Sequence, residues 1–213
     1  MTHNKDNEIR FGPLGRRCVH LCVDMQKLFG ADTDWSTPWM HKVLPQVKRI
    51  AEAHPADTIF TRFMTLARPE QGVGTWKRYY ERWRSMTTAA LPPGTMDLLD
   101  PLQALVPPAE TLDKLVYSPW LTNDLADRLA ARNVDTVIIT GGETDVCVLG
   151  TVLGAVDRGY RTLVVTDALC SSSDDTHDAL MVLYRSRYGQ QVETVDTATL
   201  LEAWPVEIGR AHV

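Results

Sequence analysis

A cysteine stands where an apolar strand pattern gives way to an apolar helix pattern. It is Cys147, within the stretch Gly-Gly-Glu-Thr-Asp-Val-Cys-Val at residues 141–148. The free N–H groups in the first turn of a helix, and the positive end of its dipole, lower the pKa of a thiol and bind developing negative charge. Most free cysteines, however, are small buried residues. This stretch alone leaves open whether Cys147 is a nucleophile or a core residue.

Two charged residues lie at or near the ends of other strand patterns. Asp24 directly follows the apolar run at residues 18–23, and Lys114 interrupts a strand pattern over residues 112–117. If these strands neighbour that of Cys147, all three side chains meet at one edge of a parallel sheet. The carboxylate could then take the thiol proton and the ammonium could stabilise the thiolate. Taken singly, Asp24 could instead cap a helix and Lys114 could be a surface lysine.

Strand and helix patterns alternate along most of the chain, as a series of crossovers requires. The strand patterns lie at residues 18–23, 58–61, 112–117, 135–140, 162–166 and 191–195. The helix patterns lie at residues 39–53, 121–132, 145–158, about 174–187, and from a cap at Asp196 through Trp204. Right-handed crossovers then produce a parallel sheet covered on both faces. We predict an α/β fold, a three-layer α/β/α sandwich with a six-stranded parallel sheet and Rossmann-type winding.

The long connection at residues 64–110 is the exception to this alternation. Residues 1–15 are predicted to be a tail, and residues 16–213 a single domain that contains this aromatic-rich insertion. Its aromatic stripe, at helical spacing, consists of Trp76, Tyr79, Tyr80 and Trp83. Such a stripe most often packs against the body of the protein or another subunit. The alternative is a wall of the substrate pocket.

The composition of the chain limits which binding partners and which cellular compartment we expect. The net charge of −5 gives no general attraction to nucleic acid. No run approaches the roughly 18 apolar residues of a membrane span. The first residues are polar with no apolar signal region, and the four cysteines form no CxxC pair. We therefore expect a cytoplasmic protein with free thiols and neither a nucleic-acid nor a membrane partner.

Three motifs resemble those of the isochorismatase-like cysteine hydrolase superfamily, and the resemblance runs over roughly residues 16–204. The motifs are residues 23–26 (Val-Asp-Met-Gln) with Phe29, Lys114 followed by residues 118–120 (Ser-Pro-Trp), and the stretch 141–148, with further family positions at 157–160 and 167–168. The resemblance implies a six-stranded parallel sheet between helices and a catalytic triad of Asp24, Lys114 and Cys147. It also implies assembly into a homodimer or homotetramer.

The resemblance further implies a non-proline cis peptide between Gly142 and Glu143. This bond would turn the N–H of Glu143 toward that of Cys147 to form an oxyanion hole. The chain is then predicted to hydrolyse an amide, carbamoyl or ureido C–N bond of a small molecule through a thioester acyl-enzyme. The alternatives are an isochorismatase-type vinyl-ether hydrolase and a catalytically inactive binding protein of the same fold.

The sequence departs from the family pattern at positions that affect which cofactor and which substrate we expect. Nicotinamidases of this superfamily bind a metal through an Asp-x-His pair just after the second strand, where residues 61–64 read Thr-Arg-Phe-Met. We therefore expect no metal and no other cofactor. Arg62 is a candidate for holding a substrate carboxylate, or equally for a salt bridge to a neighbouring acid. The other candidates for substrate binding, which core packing would explain as well, are Phe29, Tyr117 and Trp120.

Overall fold

Six short apolar runs form the strands of one parallel sheet in the computed structural model, which describes residues 7–30 and 32–206. The strands are β1 (Cys18–Val23), β2 (Thr58–Phe63), β3 (Glu110–Lys114), β4 (Thr136–Gly142), β5 (Arg161–Cys170) and β6 (Val192–Val195). Their order across the sheet is β3-β2-β1-β4-β5-β6, with every neighbouring pair parallel. Every residue of β1 and β4 is buried, as expected for central strands covered on both faces.

Helices cover both faces of this sheet. They are α1 (Lys27–Gly30), α2 (Met40–Ala53), α3 (Thr75–Arg82), α4 (Asp100–Gln103), α5 (Asn123–Ala131), α6 (Cys147–Asp157), α7 (Asp174–Arg185) and α8 (Thr197–Ala203). One face packs against α2 and α8, and the other against α5, α6 and α7. In α2 the buried residues Val43, Val47 and Ile50 recur every three or four positions, which gives the helix one apolar side. The predicted three-layer α/β/α sandwich is confirmed.

The two largest errors in the predicted strand boundaries both arose at a charged residue, while the other boundaries differ by no more than two residues. Lys114 is the last residue of β3, which does not continue to Tyr117. In contrast, β5 continues through Asp167 to Cys170, although the charge predicted an end at Thr166. Asp167 is exposed within the strand, and its Oδ1 accepts hydrogen bonds from the N–H and Oγ1 of Thr197, both at 2.8 Å. Local pattern could not show this partner, which lies 30 residues away.

The insertion between β2 and β3 closes over the carboxyl edge of the sheet, where Gln26 holds it in place. The buried Gln26 amide donates to the carbonyl oxygens of Met96 (2.8 Å) and Phe63 (3.2 Å). Its Oε1 accepts from the N–H of Phe63 at 2.7 Å. Because Gln26 lies just after β1, these bonds fix the insertion against the strand ends.

Residues 7–15, part of the predicted tail, contact the opposite edge of the sheet. The N–H of Arg10 donates to Glu193 Oε1 at 2.6 Å, and its guanidinium donates to the carbonyl oxygens of Gly189 and Val192. Residues 1–6 of that tail, and residues 207–213 of the predicted domain, lie outside the described residues. Within 7–30 and 32–206, no helix has both the length and the apolar character needed to cross a bilayer.

His20 makes the stability of the sheet dependent on pH. Its ring is fully buried, with Nδ1 3.2 Å from Thr58 Oγ1 and Nε2 2.7 Å from Thr140 Oγ1. Burial, with a smaller effect of His54, lowers the pKa of His20 from 6.5 to about 3. Between these values the unfolded chain binds a proton that the folded protein does not. The free energy of unfolding should therefore rise with pH across this window.

Urea denaturation at about pH 4 and about pH 7 checks this expectation. A His20→Asn variant should lose less stability between the two pH values than the wild type, because its buried side chain does not titrate. The same substitution at the exposed His41 is the matched control and should keep the wild-type difference. An unchanged difference in His20→Asn would contradict the assignment.

Candidate active site

The strand order creates a crevice between β1 and β4. The chain continues from β1 toward β2 on one side and from β4 toward β5 on the other, so this is the switch point of the sheet. Asp24 directly follows β1, and Cys147 follows β4 as the first residue of α6. Lys114 ends β3, and its long side chain passes the end of β2 to reach Asp24. The three predicted side chains therefore meet at one edge.

These three groups form a buried cluster of direct contacts. Lys114 Nζ lies 2.6 Å from Asp24 Oδ2 and 3.4 Å from Cys147 Sγ, and it also donates to the carbonyl oxygen of Val116 at 3.3 Å. Thr61 Oγ1 donates to the other carboxylate oxygen, Asp24 Oδ1, at 2.6 Å. The exposed fractions of Asp24, Lys114 and Cys147 are 0%, 1% and 5%. Such a cluster can exchange a proton between thiol and carboxylate out of contact with bulk water.

The structure corrects one electrostatic expectation, because the pKa of the Cys147 thiol is raised and not lowered. Burial is the largest cause, the negative charge of Asp24 adds to it, and Lys114 opposes both only in part. Burial also disfavours the ammonium of Lys114, but the charges of Asp24 and Cys147 outweigh it and raise the pKa of Lys114. The Cys147 thiol therefore holds its proton more tightly than an exposed cysteine does, and a base would have to remove that proton before the sulfur could attack.

The turn from β4 to Cys147 depends on glycine. Gly141 has φ +104°, in the left-handed region, and a Cβ at this position would lie 2.0 Å from the carbonyl oxygen of Val23. Only glycine allows β4 to approach the end of β1 this closely. The peptide bond that follows, between Gly142 and Glu143, is cis.

Two backbone N–H groups near the thiol are available to a ligand. The N–H groups of Glu143 and Cys147 donate to no acceptor within the part of the chain that the structure describes. The carbonyl oxygen of Glu143 accepts from Val146 and Val148, and its Oε1 accepts from the N–H of Ser172 at 3.0 Å. The side chain and carbonyl of Glu143 thus fix the turn, while its N–H has no acceptor among the described residues.

A cavity of about 370 Å³ opens onto the thiol. Its lining residues are Phe29, Asp34, Trp35, Ser36, Phe63, Tyr79, Trp83, Tyr117, Glu143, Val146, Cys147 and Ser172. Two of the predicted substrate-binding residues, Phe29 and Tyr117, belong to this wall. The volume suits a small molecule.

The other two predicted substrate-binding residues lie away from this cavity. Arg62 donates from Nε and Nη2 to the two carboxylate oxygens of Asp113, at 2.7 and 2.9 Å, which is the salt bridge that the sequence left open. Trp120 is 4% exposed, donates to the carbonyl oxygen of Thr151 at 2.8 Å, and stacks on Tyr160. Both side chains have structural partners where they stand.

The aromatic stripe of the insertion both packs and lines the cavity. Tyr79 and Trp83 belong to the cavity wall, whereas Tyr80 is fully buried. Trp76 packs against Tyr117, with ring centroids 4.9 Å apart. Sequence reasoning missed Trp35, whose ring lies within 6.4 Å of five other aromatic rings. Its one signal was a large aromatic residue in a polar stretch shortly after the Phe29 motif.

The residues present do not fit the metal site of nicotinamidases. Residues 61–64, where that metal-binding pair would stand, read Thr-Arg-Phe-Met, and Arg62 is paired with Asp113 on the neighbouring strand β3. The Asp-x-His at residues 175–177 lies in α7. Across residues 7–30 and 32–206, no three His, Cys, Asp or Glu side chains are grouped so that they could hold a metal ion.

Comparison with known proteins decides the family. The family described as "Isochorismatase domain" matches residues 18–197. The chain belongs to the isochorismatase family. The match covers β1 to the first residue of α8, and therefore the whole sheet and every residue of the buried cluster.

Relatives within the isochorismatase family include enzymes named for amide hydrolysis. Maleamate amidohydrolase of Pseudomonas putida is 33% identical over 85 residues, which are 40% of this chain and 40% of that protein. Nicotinamidase 3 of Arabidopsis thaliana is 25% identical over 174 residues, or 80% and 81% of the two chains. The first curated relatives are thus matched over about two fifths of their length.

A solved structure shows the same fold. The structure of a cysteine hydrolase from Pseudomonas syringae pv. phaseolicola 1448A matches with a TM-score of 0.77 and 22% identity. The match covers 95% of this chain and 98% of that one. At this identity, the likeness shows a shared α/β architecture.

Proposed function

We propose that this chain is a cysteine amidohydrolase, which cleaves an amide, carbamoyl or ureido C–N bond of a small molecule through a thioester intermediate. One observation carries the proposal. The Cys147 thiol lines a cavity and lies 3.4 Å from Lys114 Nζ, which in turn lies 2.6 Å from Asp24. A nucleophile, a base and a fixed positive charge are therefore in contact beside space for a substrate.

In the first half of the reaction, Asp24 takes the thiol proton as Cys147 Sγ attacks the carbonyl carbon. The new S–C bond moves an electron pair onto the carbonyl oxygen, where the N–H groups of Glu143 and Cys147 bind the negative charge. When the oxyanion's electron pair re-forms the C=O bond, the C–N bond breaks. Asp24 gives its proton to the leaving nitrogen, and the product amine departs from a thioester on Cys147.

In the second half, water replaces the amine. Asp24 removes a proton from water as its oxygen attacks the thioester carbonyl, and the same two N–H groups bind the oxyanion. The C–S bond then breaks, the acid product leaves, and the proton on Asp24 returns to the Cys147 sulfur. The site is restored with no net gain or loss of protons.

Lys114 stabilises charge throughout this sequence and is not required to lose its proton. Its raised pKa keeps it an ammonium, next to both the carboxylate and the developing thiolate. Thr61 and Lys114 each bond one oxygen of Asp24, which holds the carboxylate in one orientation. Because the thiol pKa is raised, the thiolate forms only as Asp24 takes the proton during attack.

A small aliphatic nitrile tests the nucleophile directly. Addition of the Cys147 thiol across the C≡N bond makes a thioimidate, whose extra mass equals that of the nitrile. Mass spectrometry of the digested protein should find this adduct on Cys147 and none in Cys147→Ala. The matched control is Cys18→Ala, because Cys18 is equally buried but lies at the far end of β1.

The result of this labelling, together with activity assays, distinguishes the proposed amidohydrolase from a binding protein and from a vinyl-ether hydrolase. Labelling spread evenly over the cysteines, together with no turnover of any amide in a panel, would contradict thiol catalysis and favour a binding protein. Hydrolysis of isochorismate that survives in Cys147→Ala would favour the vinyl-ether reaction.

The compartment and the assembly stay predictions. Cys18, Cys22, Cys147 and Cys170 are all free and buried, as expected in a reducing cytoplasm. Light scattering of the purified protein would test for the predicted homodimer or homotetramer, and cell fractionation would test the location.

A further inference from the structure

The cavity beside Cys147 combines aromatic rings with negative charge. Six rings line it, those of Phe29, Trp35, Phe63, Tyr79, Trp83 and Tyr117. Two carboxylates, Asp34 and Glu143, belong to the same wall. No Arg, Lys or His is among the described residues that line it. A substrate in this cavity therefore meets electron-rich ring faces and acidic groups.

Three positively charged side chains near this part of the protein interact with other residues. Lys114 is paired with Asp24, and its Nζ lies 5.1 Å from the ring centroid of Phe63, a wall residue. Arg82 stacks on Trp83 at 5.2 Å but does not line the cavity, and Arg62 is paired with Asp113. None of these three side chains lines the cavity.

Asp34 is held in position and keeps one oxygen free. Its Oδ2 accepts a hydrogen bond from Ser85 Oγ, in the turn that follows Trp83. Its Oδ1 has no hydrogen-bond donor, and the side chain no ion pair, among residues 7–30 and 32–206. The neighbouring residue in sequence, Trp35, packs against Trp83 with ring centroids 6.3 Å apart. A fixed carboxylate and two indole rings therefore belong to the same cavity wall.

We propose that the substrate amide carries a positively charged nitrogen, which the Asp34 carboxylate and the surrounding aromatic rings bind. This inference rests on the proposed amidohydrolase function. The faces of Trp and Tyr rings attract cations through their quadrupoles, and a carboxylate adds Coulombic attraction. An anionic substrate would be repelled by Asp34 and Glu143. The preferred substrate thus differs in charge from maleamate, an anion, for which one relative is named.

Three primary amides of matched size test this inference. The first carries a trimethylammonium group, the second has the uncharged tert-butyl group in its place, and the third has a carboxylate. Calorimetric titration of Cys147→Ala at low salt measures their binding without turnover. We expect the trimethylammonium amide to bind about tenfold more tightly than the tert-butyl amide, with the carboxylate weakest. The preference should shrink as salt is added.

Two variants test whether Asp34 causes the preference for the positively charged amide. Asp34→Asn, made in the Cys147→Ala protein, should reduce the preference for the cation to about threefold, because the rings remain. Asp32→Asn is the matched control: it removes the same charge from an exposed site in the same loop, outside the cavity wall. That variant should keep the preference of about tenfold.

The results distinguish this inference from the proposed function. Equal binding of the charged and uncharged amides, tighter binding of the carboxylate, or no binding of the trimethylammonium amide would overturn the inference. It would equally fail if Asp34→Asn kept the full preference. Turnover by the wild type is measured separately. Hydrolysis of the carboxylate amide in preference to the trimethylammonium amide would refute the proposed substrate class but support the amidohydrolase function. Binding of the trimethylammonium amide without hydrolysis of any amide would support the cation site but refute the amidohydrolase function.

Discussion

Replacing Cys147 with alanine should lower kcat/KM for an amide substrate by at least about 10⁴-fold, because no other group can form the thioester. The remaining charges cannot substitute for it, since Asp24 and Lys114 neutralise each other at 2.6 Å. The fold should survive, because alanine leaves only a sulfur-sized gap at the start of α6. We expect the melting temperature to change by no more than a few degrees.

Steady-state kinetics at high enzyme concentration, beside a thermal melt, would measure both quantities. Cys18→Ala is the control for losing a buried thiol and should keep wild-type kcat/KM. If Cys147→Ala hydrolysed the amide at the wild-type rate, Cys147 would not be the nucleophile and the proposed mechanism would fail.

Replacing Lys114 with methionine should have the second largest effect, and it should act on both stability and rate. The variant leaves the fully buried Asp24 without its positively charged partner, although Thr61 Oγ1 still donates to Asp24 Oδ1. Breaking a buried ion pair from one side typically costs about 3–5 kcal/mol of unfolding free energy. Turnover should fall by about 10²–10⁴-fold, because nothing then stabilises the charge that forms on the thiol.

A second substitution separates the two effects. Adding Asp24→Asn to Lys114→Met removes both charges, so urea denaturation should recover most of the lost unfolding free energy. Activity should stay low, because the base is now missing as well. A double variant no more stable than Lys114→Met would show that Asp24 and Lys114 are not energetically coupled. Wild-type turnover in Lys114→Met would remove Lys114 from the mechanism.

The candidate site was predictable where its parts lie at the ends of strands. Apolar runs ending at Asp24 and at the Gly141-Gly142 pair have a local signature, because a buried parallel strand must be apolar along its length. The place where each run ends is also where a parallel sheet presents functional side chains. The amino-acid sequence alone therefore indicates the type of each reactive residue and its distance from the strand.

The wall of the cavity was not predictable in the same way. Arg62 and Asp34 are both single charged residues near strand or motif ends, and nothing in their local sequence ranks one above the other. Arg62 is paired with Asp113, 51 residues away, and Asp34 is fixed by Ser85, also 51 residues away. Contacts at such separations leave no periodic pattern, so sequence pointed to the arginine while the cavity contains the aspartate.

By itself, the sequence determined the alternation of strands and helices, and it placed an aspartate, a lysine and a cysteine at or near strand ends. Only the tertiary structure decided that the pKa of the Cys147 thiol is raised, because burial and the negative charge of Asp24 outweigh the positive charge of Lys114. It also decided that acidic and aromatic side chains line the cavity beside the thiol, whereas Arg62, which is paired with Asp113, does not. The physical reason is the same in both cases. Burial and charge are properties of contacts between distant residues, such as Asp24 and Lys114 at a separation of 90, whereas a sequence pattern records only near neighbours.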